Sequence, residues 1–349
     1  MRKIGKVLSA AMAAVMAMSL TACGSAASSA VSTAPSEGAA SAASAESTGE
    51  ASSADSEKTF TIGICQLVQH EALDAATQGF KDVLTETYGD RVTFDEQNAS
   101  GDSATCSTIT NTFAANGVDL ILANATASLQ AAASATSDIP ILGTAVTEYG
   151  VALGIEDFSG TVGSNISGTS DLAPLDQQAA MFDELLPDAK KIGIVYCSAE
   201  PNSVYQGDKV KEALEASGHT VTVYTFADSN DVAQVTQTAC GENDALYIPT
   251  DNTAASCTEA INNVAQPAGV PIITGEEGIT KGCGIATLSI SYYELGRTTG
   301  EMAVKILNGE ADVKEMPIEY YADPVKKYNK TICDALGITV PDEYEAIEE

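Results

Sequence analysis

From Thr59 onward, short and nearly continuous apolar runs alternate with amphipathic stretches. The runs that read as strands are FTIGIC (60–65), VTFDEQ (92–97), DLILAN (119–124), IPILGTAV (139–146), KIGIVYC (191–197), TVTVYTF (220–226), ALYIPT (245–250), VPIITG (270–275) and IATLSIS (285–291). Most lack the apolar–polar alternation of a half-exposed strand, as expected for parallel strands covered on both faces. Between them apolar residues recur at helical spacing: Leu73, Ala76, Phe80 and Val83, then Cys106, Ile109 and Phe113, then Leu175, Ala179, Phe182 and Leu185. Val210, Leu214 and Ser217, and later Leu295, Thr299, Met302 and Ile306, continue the series. Such stripes are core. Repeated strand–helix units predict an α/β fold built on doubly wound parallel sheets.

The alternation breaks at residues 150–170, an irregular glycine-rich stretch, and a fresh series starts at Lys191. The break reads as a crossover between two similar lobes. The expected division is 59–170 plus 285–312 for the first lobe and 171–284 plus 313–349 for the second, with the chain returning to the first near Gly284 and crossing again near Met316. In open α/β sheets ligands bind beyond the carboxyl ends of the strands, so two facing lobes place the site in the cleft between them.

The chain before Thr59 is of another kind. Arg2, Lys3 and Lys6 precede an apolar stretch from about Val7 to Leu20, too short and alanine-rich for a membrane span. Leu20-Thr21-Ala22-Cys23 resembles a bacterial lipobox, so residues 1–22 are expected to be a lipoprotein signal peptide and Cys23 the lipidated first residue of the mature chain. Residues 23–58, mostly Ala, Ser, Gly, Thr and Glu with no aromatic residue, are expected to be a disordered tether to the outer face of the cytoplasmic membrane.

Charge and cysteine usage narrow the function. The formal net charge is −31, and it becomes more negative once Arg2, Lys3 and Lys6 are removed, which disfavours nucleic acid and anionic lipid as partners. Cys65, Cys106, Cys197, Cys240, Cys257, Cys283 and Cys333 contain no CxxC pair, so neither a zinc site nor a disulfide framework is expected. His70 and His219, the two histidines of the chain, belong to no catalytic triad or metal-spaced cluster, so no enzyme activity, cofactor or metal is expected.

The predicted strand ends carry polar residues in both lobes: Gln66 and His70, Asn98, Ala125-Thr126, and Thr147 in the first, then Asn202-Ser203, Asp251-Asn252 and Glu276 in the second. Each alone is compatible with a local helix cap; their convergence points to a ligand site. The segments QLVQHEALDAATQGF, QNASGD, NATAS, IPILGTAVTEYG, SNISGTSD, AEPNS, PTDNTAAS and ELGRTTGEMAVKILNGE, in this order, resemble the tryptophan/tyrosine-type substrate-binding lipoproteins of bacterial ABC transporters over nearly all of residues 59–340. Glu71 and Glu148-Tyr149 stand where members usually have Pro and Asp-Pro. The resemblance implies a type I periplasmic-binding fold, two Rossmann-like lobes with parallel sheets joined by a multi-strand hinge. It also implies an ABC permease and ATPase as partners of a monomeric binding protein.

None of the cations of the mature chain sits directly at a predicted strand C-terminus, Lys281 being the nearest, which disfavours phosphate, sulfonate or dicarboxylate ligands. A zwitterion fits: its carboxylate on hydroxyls and helix N–H groups around Ala125–Ser128, Thr147 and Asn202-Ser203, its ammonium on Asp251 or Glu276. An amino acid is expected, aromatic by the family resemblance, with Tyr149 and Tyr205 as candidate walls. The alternatives are a sugar or nucleoside ligand, a ligand-sensing lipoprotein and an exported enzyme.

Overall fold

The computed structural model describes residues 58–348. The expected signal segment (1–22), the Cys23 lipidation site and all but the end of the 23–58 linker lie outside them.

The first series of elements is β1 (Phe60–Gln66), α1 (Glu71–Tyr88), β2 (Val92–Asn98), α2 (Ser103–Asn116), β3 (Leu120–Asn124), α3 (Thr126–Ala135), β4 (Ile141–Val146), α4 (Tyr149–Leu153) and β5 (Ile166–Ser170). The second is α5 (Leu175–Leu185), β6 (Lys191–Cys197), α6 (Pro201–Ala216), β7 (Thr220–Phe226), α7 (Val232–Glu242), β8 (Ala245–Ile248), α8 (Asn252–Ala255), α9 (Thr258–Ala268), β9 (Ile272–Thr274), α10 (Glu277–Cys283) and β10 (Ala286–Ser289). α11 (Tyr292–Leu307), β11 (Glu319–Tyr320), β12 (Val325–Tyr328), α12 (Lys330–Leu336) and β13 (Glu345–Ala346) follow. They build two sheets, ordered β11-β5-β4-β3-β1-β2 and β13-β12-β10-β9-β8-β6-β7. Pairing is parallel throughout except between β10 and β12. Every apolar run expected to be a strand is one.

The strands lack alternation because both faces are covered. Ile62 and Ile64 of β1 pack with Phe80, Leu84 and Met302, while Cys65 of the same strand packs with Phe113 and Leu129 on the other side. Away from the edge strands β2 and β7, which are partly exposed along their length, the strand ends are what is left to meet a ligand, and they face the junction of the lobes.

The lobe boundaries differ from those expected. β10, whose apolar run was expected to begin the return to the first lobe, pairs with β9 and β12 in the second sheet. The return comes after Ser289, with α11. β11 pairs with β5 in the first sheet, so the last crossing lies beyond Tyr320 and not near Met316. An apolar run suits either sheet equally; the helix that follows decides. α11 lies against α1 at near-backbone distance, because a Cβ on Gly296 would overlap the Ala76 carbonyl oxygen and one on Gly79 the Tyr293 carbonyl oxygen. Arg297 pairs with Glu86 at 3.0 Å along the same seam. Three segments thus join the sheets, at residues 171–174, 290–291 and 321–324.

Candidate functional site

The strand ends of the two sheets meet across a cleft, which residues following β1, β2 and β3 line from one side and residues following β6, β7 and β8 from the other. Between them lies a cavity of about 290 Å³, lined by Leu67, Val68, Asp102 and Ala127 of the first lobe and by Glu200 and Thr253, among others, of the second. Its volume is at the low end of the roughly 300–1,000 Å³ typical of small-ligand pockets. Neither Lys nor Arg lines it.

The first lobe contributes donors. Ala125 adopts φ 87°, ψ 161°, a region that residues with a Cβ rarely enter, and this kink aims the start of α3 at the cleft. The amide of Ala125 bonds Thr144 O at 3.0 Å, but those of Thr126, Ala127 and Ser128 meet no acceptor among the described residues. These are the orphan N–H groups of a helix start, at the positive end of its dipole.

The second lobe contributes acids, and most are already committed. Asp251 caps α8, accepting the amides of Cys197 and Ala254, each at 2.7 Å. Glu276 caps α10, accepting the amides of Gly278 and Ile279. Burial, reinforced by the nearby Glu200 charge, pushes the Asp251 carboxyl up to about 8, and burial pushes that of Glu276 up to about 7. The expectation that Asp251 or Glu276 faces a ligand ammonium therefore meets two cap residues whose lone pairs point into their own lobe.

Glu200, at the end of β6, organises this wall. Its Oε2 accepts the Asn252 amide at 3.0 Å, Asn252 Nδ2 at 2.7 Å and Asn202 Nδ2 at 3.1 Å. Its Oε1 accepts the Thr253 amide at 2.9 Å and the Thr253 hydroxyl at 2.8 Å. Because Asn252 Nδ2 donates to Glu200, its Oδ1 is left to accept, and His70 Nε2 meets it at 3.2 Å across the cleft. That bond requires the proton on His70 Nε2. Burial holds the His70 pKa below its usual value.

Two further contacts tie the lobes together: Gln206 Nε2 donates to Thr147 Oγ1 at 3.3 Å, and Lys281 pairs with Glu71 at 3.5 Å. His70, Ala125, Thr126, Thr147, Asn202, Ser203, Asp251 and Asn252 thus gather at or just beneath the seam. Gln66 is beneath it but fully engaged, with Val68 O, Asp74 and Thr77. Asn98 stands apart, exposed and accepting the Ser100 amide; its neighbours from Ser100 to Ser103 line the cavity instead. Tyr149 is core, its hydroxyl bonded to Thr169 O at 3.0 Å, and is no cavity wall. Gln206 is a member of the seam that strand-end reasoning did not reach, and Glu200, which stands at the predicted end of its strand beside Asn202-Ser203, organises the wall although it was not among the candidate ligand residues. Among the described residues no group of three or more His, Cys, Asp or Glu is arranged to hold a metal, and no helix is long and apolar enough to cross a membrane.

The raised carboxyls have a consequence for stability. In the unfolded chain Asp and Glu release their protons near pH 4, whereas folded Asp251 and Glu276 keep theirs to about 8 and 7. Their contribution is complete below about pH 4 and is lost as pH rises through 7 and 8. The melting temperature is expected to fall between pH 5.5 and 8.5, and Asp251→Asn, an isostere of the protonated acid, is expected to flatten that fall. An equally steep fall in the variant rules out Asp251 as its source.

The chain matches the family model for ABC transporter substrate binding proteins over residues 61–347. It is 38% identical over 267 residues to the tyrosine-binding protein of Clostridioides difficile (strain R20291), covering 76% of this chain and 77% of that one. Among solved structures it resembles an ABC domain from Streptococcus pneumoniae in complex with L-Trp, with a TM-score of 0.79, 32% identity and coverage of 83% of this chain and 100% of that one. The ligand-free, open structure of a substrate-binding protein with adhesive properties from Clostridium difficile is nearer in sequence, at 39%, covering 83% and 99%, yet fits less well, with a TM-score of 0.64. The better fit to the ligand-bound relative accords with the direct contacts between the lobes.

Proposed function

Because this chain belongs to the ABC transporter substrate-binding protein family, we propose that its cleft captures a free aromatic amino acid outside the cytoplasmic membrane and delivers it to an ABC permease. The observation that carries this reading is the pairing of free amide donors at the start of α3 with a cavity lined by neither Lys nor Arg. An α-carboxylate takes the helix amides, as anions do at helix N-termini. The acidic character of the seam suits the ammonium, and the side chain lies toward Leu67, Val68 and Ala127 in the cavity. A tyrosine-binding relative and an L-Trp-bound one favour an aromatic side chain.

Binding costs little reorganisation once the lobes meet. Ligand adds contacts that only the closed arrangement offers, so it shifts the population toward the form in which His70 reaches Asn252 and Gln206 reaches Thr147. The closed form docks on the permease, whose ATPase drives release. No bond of the ligand is made or broken. The export signal takes the chain across the membrane and is removed, and a lipid on Cys23 then holds a monomeric clamp near its transporter, with the 23–58 segment as tether.

The direct test is a thermal-shift panel of the twenty amino acids, with sugars and nucleosides for the alternative ligand class. A ligand present at a hundred times its Kd stabilises by about 2.7 kcal/mol, a shift of several degrees for a chain of this size. Tyrosine, tryptophan or phenylalanine is expected to give the largest shift. A shift by a sugar or nucleoside with none by an aromatic amino acid sinks the assignment.

A further inference from the structure

Asp171 closes β5 at the first crossover and is 5% exposed. Its Oδ2 accepts the hydroxyl of Tyr292, at the second crossover, at 3.0 Å. Its Oδ1 has no hydrogen-bond partner in the structure. Buried polar atoms are almost always paired, and a bare carboxylate oxygen is among the costliest exceptions. The Thr147 hydroxyl lies beside this carboxylate and offsets part of the pKa rise that burial imposes. Thr147 itself receives the cross-lobe bond from Gln206, and the side chain of Thr250, from the second lobe, lies beside the Tyr292 hydroxyl. Asp171 therefore sits on the seam, at its crossover end.

The other acids of the seam differ from it in one respect. Both oxygens of Glu200, Asp251 and Glu276 already accept protein donors. Asp171 alone among these four holds an oxygen with none. Its position also suits an amino-acid head group. β4 lies between β3 and β5, so the ends of β3 and β5 are about 10 Å apart at a strand spacing of about 4.8 Å. A carboxylate and an ammonium on one carbon, with a hydrogen bond of about 2.8 Å at each end, span most of that gap.

Resting on the amino-acid reading above, we propose that Asp171 Oδ1 is the acceptor for the ligand's ammonium, with the carboxylate on the α3 amides and the side chain directed outward into the cavity. The head group then lies against both crossover segments, through Asp171 and its partner Tyr292. Capture of the ammonium and closure of the hinge become one event. A ligand lacking the ammonium leaves Oδ1 bare and loses this link.

The test pairs ligand and protein deletions. Calorimetry is run on wild type, Asp171→Asn and Asp171→Ser, with L-tyrosine and L-tryptophan and with their des-amino analogues, 3-(4-hydroxyphenyl)propanoate and 3-(indol-3-yl)propanoate. Asp171→Ser keeps an acceptor for Tyr292, and melting curves identify variants that remain folded. Wild type is expected to prefer the amino acid over its analogue by about a hundredfold, the scale of a buried charge pair, and folded variants to prefer it by less than tenfold. If the amino acid and its analogue weaken equally, so that the preference survives, Asp171 acts only on the hinge and the proposal falls. A wild type that binds neither amino acid overturns the ligand assignment as well, and the two failures are told apart by that first titration.

Discussion

Replacing Glu200 by alanine is expected to lower the melting temperature by roughly 10 °C and to abolish measurable ligand binding. The side chain is 8% exposed and accepts hydrogen bonds from Asn202, Asn252 and Thr253. Removing it strands two backbone amides, two carboxamide bonds and a hydroxyl bond in one wall. Leaving a buried donor without its acceptor typically costs about 1–3 kcal/mol, so several stranded together cost at least that much, and each kcal/mol shifts the midpoint of a domain of this size by about 2–4 °C. Water admitted through the cavity relieves some of the stranded donors, which keeps the loss at the lower end. The effect on binding has a separate origin: Asn252 loses the partner that orients its Oδ1 toward His70, so the second lobe no longer presents a fixed surface for closure. Glu200→Gln separates the two. It preserves one acceptor oxygen but turns its NH₂ toward donors, so a smaller fall in melting temperature is expected with a similar loss of affinity. Calorimetric melting and titration of the same samples check both, and a melting temperature within 2 °C of wild type in Glu200→Ala removes Glu200 from its organising role.

The fold was legible where burial and periodicity coincide. β1, β3 and β6 are apolar runs because both faces are covered, and nothing but a parallel sheet accommodates them. β5 was not legible for the opposite reason. Its residues, ISGTS, are fully buried yet mostly small and polar. They are tolerated because each hydroxyl finds a partner: Ser167 with Met316 O, Thr169 with Thr299, Ser170 with Thr147 O. A strand stabilised by specific pairing leaves no hydropathy signal. The same blindness moved the lobe boundary, since IATLSIS carries no mark of the sheet it joins.

The site was legible at the level of position but not of role. Strand-end reasoning brought Thr126, Thr147, Asn202 and Asp251 to the seam, yet could not distinguish an acid that faces a ligand from one that caps a helix. Asp251 and Glu276 have the sequence context of both, because a carboxylate before a helix start serves either purpose. Which lone pairs remain free depends on the neighbours, and those come from distant strands: Cys197 for Asp251, Tyr292 for Asp171. Ala125 lies at the seam through a feature the sequence does not show, its positive φ being one that glycine would advertise.

Ala127→Asp is expected to eliminate amino-acid binding while leaving the free protein as stable as wild type or slightly more so. Ala127 lies in the first turn of α3 and lines the cavity. A carboxylate introduced there meets the unpaired amides of that turn and the positive end of the helix dipole, a favourable placement of about 0.3–1 kcal/mol. The same charge occupies the donors a ligand carboxylate needs. It also repels that carboxylate: two like charges about 4 Å apart at an effective dielectric near 20 oppose each other by about 4 kcal/mol, which corresponds to roughly a thousandfold in Kd. Most designed losses of binding are ambiguous because the variant is also less stable; this one predicts the two effects with opposite signs. Ala127→Asn supplies the control, being of the same size without the charge. If the ligand carboxylate binds at the α3 amides, Asn weakens binding by far less than Asp. Equal losses for the two variants assign the effect to crowding and remove the carboxylate from this helix, whereas full affinity in Ala127→Asp places the ligand elsewhere in the cleft.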